Sequence, residues 1–184
     1  MKRITKLRFK EFVGEWEEKR LGEVCNIIRG VQLNKDLLSK TGKYPALNGG
    51  ILPSGYTENW NVEANTISIS GGGSCGFVNF VTEKFWSGGH NYSLQKIITS
   101  VSPVYLYQML KYYEPSVMNL SVGSGLKNIQ KYALFNFKIP FPQLPEQTKI
   151  ANFLNSIDSK IDLLQKQISL TKDFKKSLLQ QMFV

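Results

Sequence analysis

From Glu146 to Val184 the chain runs 39 residues without a glycine or a proline, although 15 glycines and seven prolines lie at or before Pro145. Such a run fits a single helix, about three times the mean globular length of about 11–12 residues. Pro145 suits its first position, where a missing N–H costs nothing. The apolar spacing then says what kind of helix. Ile150, Leu154, Ile157, Ile161, Leu164, Ile168, Thr171, Lys175, Leu178 and Met182 follow in alternating steps of four and three, the seam of a coiled coil. Thr171 and Lys175 interrupt the seam as positions that set register or direction. At 1.5 Å per residue the helix is about 57 Å long, against a diameter of about 26 Å for a globular part of ~140 residues. A projecting apolar stripe of that length needs a partner helix. Ile150, Leu154, Ile157, Ile161, Leu164, Ile168, Leu178 and Met182 are therefore the expected dimer interface, and 145–184 a dimerisation and spacer helix.

Residues 1–144 read differently, as an irregular α+β domain with short strands and Gly-rich loops. Strands are expected at Glu23–Ile28, Tyr44–Leu47, Thr66–Ser70, Phe77–Val81, Tyr92–Ile98 and Leu134–Ile139. Thr66–Ser70 alternates as a half-buried strand should, and Gly71–Gly76 turns the chain into the next strand as a hairpin. A helix is expected at Pro103–Tyr113, capped by Ser102, and a shorter one at Lys35–Lys40, capped by Asn34.

The net charge of +9 is spread along the chain: +3 in 1–20, +4 in 21–142 and +2 in 143–184. That balance makes nucleic acid the first partner to test. Two cysteines and one histidine exclude a disulfide framework and most zinc sites. No run approaches the ~18 apolar residues of a membrane span, and no basic-then-apolar leader opens the chain, so a soluble, cytoplasmic protein is expected.

Catalysis finds little support. Gly71–Gly76 is followed by no Gly-Lys-Ser/Thr and by no helix, so it is a turn and not a phosphate loop. Cys75 and His90 form a conceivable nucleophile pair, but no third group orients them. No Asn/Asp-Pro-Pro-Tyr/Phe methyltransferase run and no paired-acid nuclease pattern occurs. The chain is expected not to be an enzyme and to hold no cofactor or metal of its own.

Binding finds more. Lys127, Asn128, Gln130 and Lys131 follow the glycine-bearing loop Ser121–Gly125, which includes Ser124. Arg29, Gln32, Asn34 and Lys35 form a second polar, basic group. Asn48, Tyr56, Asn59, Trp60 and Asn61 form a third, and Gly88–Tyr92, with His90 and Asn91, a fourth. Ser74 lies in the glycine turn. Lysines suit phosphates, and Asn, Gln and Arg suit base edges. The candidate DNA-binding residues are thus Arg29, Gln32, Asn34, Lys35, Asn48, Tyr56, Ser74, His90, Asn91, Ser124, Lys127, Asn128 and Lys131.

Several stretches resemble the specificity (S) subunit of type I restriction–modification systems. They are Leu7-Arg-Phe-Lys-Glu-Phe-Val-Gly-Glu-Trp-Glu-Glu-Lys-Arg-Leu-Gly-Glu-Val24, Gly55-Tyr-Thr-Glu-Asn59, Ile67-Ser-Ile-Ser-Gly71, Ser74-Cys-Gly-Phe-Val78, Phe85-Trp86 and Gly123-Ser-Gly-Leu-Lys-Asn-Ile129. The junction Ile139-Pro-Phe-Pro-Gln-Leu-Pro-Glu-Gln-Thr-Lys-Ile150 leads into Phe153-Leu-Asn-Ser-Ile-Asp158 and on to Leu178-Leu-Gln-Gln-Met-Phe183. The resemblance implies a target-recognition domain at 1–144 that reads one half of a split site in double-stranded DNA. It implies a non-catalytic subunit that recruits modification methyltransferase subunits, which bind S-adenosylmethionine and methylate adenine, and restriction subunits. A typical member has two such domains and two helices. With one of each, this chain looks like a half subunit working as a homodimer. The alternative is a coiled-coil adaptor that binds protein only, or a decoy for the methyltransferase.

Overall fold

The computed structural model describes residues 7–183; the first six residues of the expected recognition domain and Val184 lie outside the described residues. The elements run β1 (Glu17–Arg20), α1 (Leu21–Val24), β2 (Asn26–Arg29), a 3₁₀ turn (Lys35–Leu37), β3 (Tyr44–Leu47), β4 (Gly55–Thr57), β5 (Thr66–Ser70), β6 (Val78–Val81), β7 (Trp86–Ser87) and β8 (Asn91–Gln95). They continue through α2 (Pro103–Tyr112), α3 (Glu114–Met118), β9 (Ser121–Val122), β10 (Asn128–Ile129), α4 (Lys131–Phe135), β11 (Lys138–Phe141) and α5 (Leu144–Met182). The expected mixed α+β architecture with a long C-terminal helix is what the chain forms. Two compact units result, the first reaching Thr148 and the second beginning at Lys149.

In the first unit, β2, β8, β5 and β6 form a four-stranded sheet in that order, antiparallel throughout. A three-stranded sheet has the order β4-β3-β7, with β3 and β7 parallel. β1 pairs with β11, Glu17 opposite Phe141, closing the unit with strands from its two sequence ends. Ile67, Ile69, Leu94, Leu106 and Leu110 are buried, and α2 packs on β5 and β6. Leu47, Val62, Val81 and Phe85 form a core cluster of their own. Each such side chain stabilises the fold by about 1.5–3 kcal/mol.

Several expected elements fall where the pattern put them. β3 and β5 match the expected strands, β5 and β6 form the hairpin, and Ser102 caps α2 by accepting from Tyr105 N at 3.3 Å. Asn34 caps as expected, accepting from Asp36 N at 3.4 Å, but the turn it opens ends at Leu37. Four other expectations change. Glu23–Ile28 divides into α1 and β2, because the Glu23 carboxylate accepts from Arg20 N at 2.8 Å and closes a helical turn before the strand starts. Leu134–Ile139 divides into α4 and β11; Ala133 and Leu134 continue a turn begun at Lys131, and pairing with β1 starts the strand at Lys138. Tyr92–Ile98 shortens to β8, whose end is marked by Lys96 at φ 50°. Thr66–Ser70 is not half-buried: it lies between β8 and β6, and its serines are as buried as its isoleucines.

α5 is a single helix of 39 residues, so the breaker-free segment is helical as the spacing requires. It begins at Leu144, which places Pro145 one position inside its start. In the second unit the seam residues Ile157, Ile161, Leu164, Ile168, Leu178 and Met182 are exposed, Ile168 to 55 %. No helix among the described residues is long and apolar enough to cross a membrane.

Candidate nucleic-acid interface

Three glycine turns meet at one place in the first unit. Gly49–Gly50 follows β3, Gly71–Gly73 follows β5, and Gly88–Gly89 joins β7 to β8. Gly88 N donates to Leu47 O at 2.8 Å, Ser74 N to Gly49 O at 2.8 Å, and Gly71 N and Gly72 N both donate to His90 O, at 2.8 and 3.1 Å. The backbones approach so closely that side chains are excluded. A Cβ on Gly49, which has φ +89°, would lie 2.5 Å from Gly72 O, and one on Gly88 would lie 2.5 Å from Asn48 Oδ1.

This platform gathers most of the candidate side chains. His90 is exposed, and its N–H donates to Asn48 Oδ1 at 3.1 Å. Exposed Arg29 donates from Nε to Gly89 O at 2.9 Å. Gln32 lies against the same turn, its Oε1 3.1 Å from where a Gly89 Cβ would be. Asn128 pairs with Gly72 across an isolated bridge, and Ile129 N donates to Gly71 O at 2.8 Å. These bonds bring the β9–β10 hairpin, with Ser124 and Lys127 in its connecting loop, onto the platform. The Tyr92 hydroxyl adds a tie to Ile129 O at 3.0 Å; burial pushes its pKa up, and nearby Arg29 partly offsets that.

The buried Cys75 thiol donates to Lys127 O at 2.9 Å and Gly71 O at 3.3 Å, so it is engaged in holding the hairpin to the turn. Among the described residues no group of three or more His, Cys, Asp or Glu is placed to hold a metal ion.

Other candidates lie elsewhere. Asn91 is buried, and its amide faces inward: Nδ2 donates to Ser87 Oγ at 3.1 Å and Oδ1 accepts from Ser68 Oγ at 3.0 Å. It cannot reach a ligand from there, which corrects its expected role as a contact. Asn34 spends its side chain as a cap, and exposed Lys35 opens the turn it caps. Exposed Lys131 opens α4. Tyr56 sits on β4, paired with Pro45 at the edge of the three-stranded sheet. Near it in sequence is an aromatic shelf that sequence reading caught only through Trp60. Tyr44 and Trp60 lie 5.1 Å apart between centroids, with Lys43 5.3 Å from the first ring and Lys84 4.2 Å from the second. Glu63 binds both Trp60 Nε1 and Lys84, and these bonds hold its carboxyl below the usual range. The adjacent Lys43-Tyr44 pair was the available signal for the shelf; Lys84 had none.

Residues 14–171 match the family model described as the type I restriction modification DNA specificity domain. A Mycoplasma pneumoniae protein assigned as a type I specificity subunit is 32 % identical over 174 residues, covering 91 % of this chain and 45 % of its own length. The MjaVIII specificity subunit of a type I restriction enzyme from Methanocaldococcus jannaschii is 28 % identical, covering 95 % of this chain and 44 % of its own. The crystal structure of a type I restriction–modification S subunit from M. genitalium superposes with a TM-score of 0.82 at 30 % identity, over 91 % of this chain and 45 % of that one. The HsdS subunit of Thermoanaerobacter tengcongensis does so with a TM-score of 0.64 at 25 % identity, over 82 % and 39 %. The chain spans about half the length of the curated relatives it matches. With the family model covering most of the sequence and the fold shared with solved S subunits, the chain belongs to the type I restriction–modification DNA specificity family.

Proposed function

We propose that this chain reads one half of a split site in double-stranded DNA as the recognition part of a type I restriction–modification complex. The observation that carries this is the glycine platform. Its bonded turns carry Asn48, Ser74 and His90, and they gather Arg29 from β2, Gln32 from the loop after it and Asn128 from β10, with Lys127 beside them. Guanidinium, amide and imidazole groups suit base edges, and lysines suit phosphates. Family membership supports the same reading.

The chain itself performs no chemistry in this proposal. It recruits modification methyltransferase subunits, which bind S-adenosylmethionine, and restriction subunits, and it works in the cytoplasm where the DNA is. The exposed seam of α5 pairs with a second long helix, in the simplest case that of a second copy in a homodimer. A protein-only adaptor would use the same seam but would have no need of the platform.

The test is selection of duplexes from a random-sequence library by the full chain. Enrichment of one short motif supports the proposal. Binding with no sequence preference, or none at all, refutes it.

A further inference from the structure

Ser68 lies on the opposite face of β5 from Ile67 and Ile69 and is 3 % exposed. A hydroxyl buried there requires a partner. It donates to Asn91 Oδ1 on β8, and Asn91 Nδ2 in turn donates to Ser87 Oγ on β7. The backbone of Ser87 is clasped by Asn61, which accepts from Ser87 N at 2.7 Å and donates to Ser87 O at 3.0 Å. One chain of bonds thus crosses from the four-stranded sheet to the three-stranded sheet.

Ser87 and Asn91 also bracket Gly88, Gly89 and His90. Asn91 N donates to Gly88 O at 3.0 Å, and Gly30 N donates to Asn91 O at 2.9 Å. Both ends of the turn that carries exposed His90 are therefore tied to buried polar groups. Packing alone would be met by apolar residues of similar volume. A fully satisfied buried network instead fixes one geometry.

We infer that Asn91 is a positioning residue of the reading face: with Ser68 and Ser87 it fixes the Gly88–His90 turn, and so the orientation in which His90 discriminates DNA sequence. The inference rests on the DNA-reading role proposed above. It also replaces direct contact by Asn91, which its burial prevents.

The test uses the full chain, a duplex selected by the wild type, and the same duplex scrambled. Ser68→Ala and Ser87→Ala each remove one bond while leaving Asn91 in place. Each is expected to lower the ratio of affinities for selected over scrambled duplex about tenfold, the effect of one well-placed hydrogen bond. Affinity for the scrambled duplex and its salt dependence stay unchanged, and melting confirms that the variants are folded. In a His90→Ala background, which itself loses discrimination, Ser87→Ala has no further effect on the ratio. An unchanged ratio in both single variants overturns the inference. So does equal weakening on both duplexes, which marks a merely structural role, and so does an undiminished effect of Ser87→Ala without His90. If the wild type selects no sequence, the DNA-reading proposal falls and the positioning role falls with it.

Discussion

Arg8 and Glu146 stand 138 positions apart and meet in a two-pronged ion pair, Nε to Oε1 at 2.7 Å and Nη2 to Oε2 at 2.6 Å. The Glu146 side chain is almost wholly buried, and Arg8 Nη1 also donates to Gly14 O at 2.7 Å. The segment that leads into β1 is thereby fastened to the first turn of α5. Removing either partner strands the other beside a buried surface. Arg8→Ala and Glu146→Ala should each lower the melting temperature by several degrees. The double variant should melt little lower than either single one, as expected for one shared interaction.

Gln147 completes the same anchor. It accepts from Ser102 N at 2.9 Å and donates to Ser100 O at 3.1 Å and Pro142 O at 2.9 Å. Gln147→Ala leaves buried polar groups unpaired, at about 1–3 kcal/mol each. Urea denaturation should show a lower midpoint with an unchanged slope.

Alkaline pH should weaken the fold. Burial pushes the Cys25 thiol up to about 12, and it raises the Tyr105 phenol strongly as well, helped by the charges of Glu146 and Tyr113. Both groups are neutral in the folded chain but ionise in the unfolded one at about pH 8.5 and 10. A folded pKa above the unfolded value means stability that is complete at lower pH and lost as pH rises. Melting temperature should therefore fall from about pH 8.5 upward, and Cys25→Ala should flatten the first part of that fall. A melting temperature constant into strong alkali would contradict this.

Phosphate and base contacts should separate by assay. Lys127→Ala and Lys131→Ala should weaken binding to every duplex alike and reduce the salt slope by about one each. Arg29→Ala and Asn128→Ala should relax base choice instead, costing about 1–3 kcal/mol on the selected site. If both lysine variants bind as the wild type does, with the same salt slope, the face lies elsewhere.

The long helix was legible because 39 residues without a glycine or proline after Pro145, apolar at a period of 3.5 residues, leave no other element to choose. β3, β5 and the cap at Ser102 were legible for similar local reasons. The errors have local causes too. In Glu23–Ile28 and Leu134–Ile139, apolar β-formers masked short helices: one side-chain bond closes the first, and a distant strand sets where β11 begins after the second. At the candidate site, the glycine segments Gly71–Gly76 and Gly88–Gly89 were readable, but Gly49–Gly50 and the burial of individual side chains were not. Asn91 looks like a ligand-binding amide in Gly-Gly-His-Asn-Tyr, and only the pairing of β8 with β5 places Ser68 against it. Lys84 likewise reaches Trp60 through folding alone.

The seam of α5 should act both as the assembly surface and as a ruler. Ile161→Asp puts a charge into the paired seam and should abolish self-association seen by light scattering. Deleting the heptad Ile157–Leu163 keeps the seam in phase and shortens each helix by about 10.5 Å, or roughly three base pairs at 3.4 Å each. The half-sequences should stay the same while the gap between them shrinks. An active complex with an unchanged gap would exclude the helix as the ruler.

On the function proposed above, this chain sets the DNA sequence at which a type I modification subunit acts. The most direct test is to combine the full chain with a type I modification subunit and S-adenosylmethionine, and to sequence the methylated positions in genomic DNA. Methylated adenines should be confined to one interrupted motif, with two identical inverted half-sequences if two copies pair, and should be absent when the chain is omitted. Methylation that shares no motif, or that proceeds unchanged without the chain, would contradict that function.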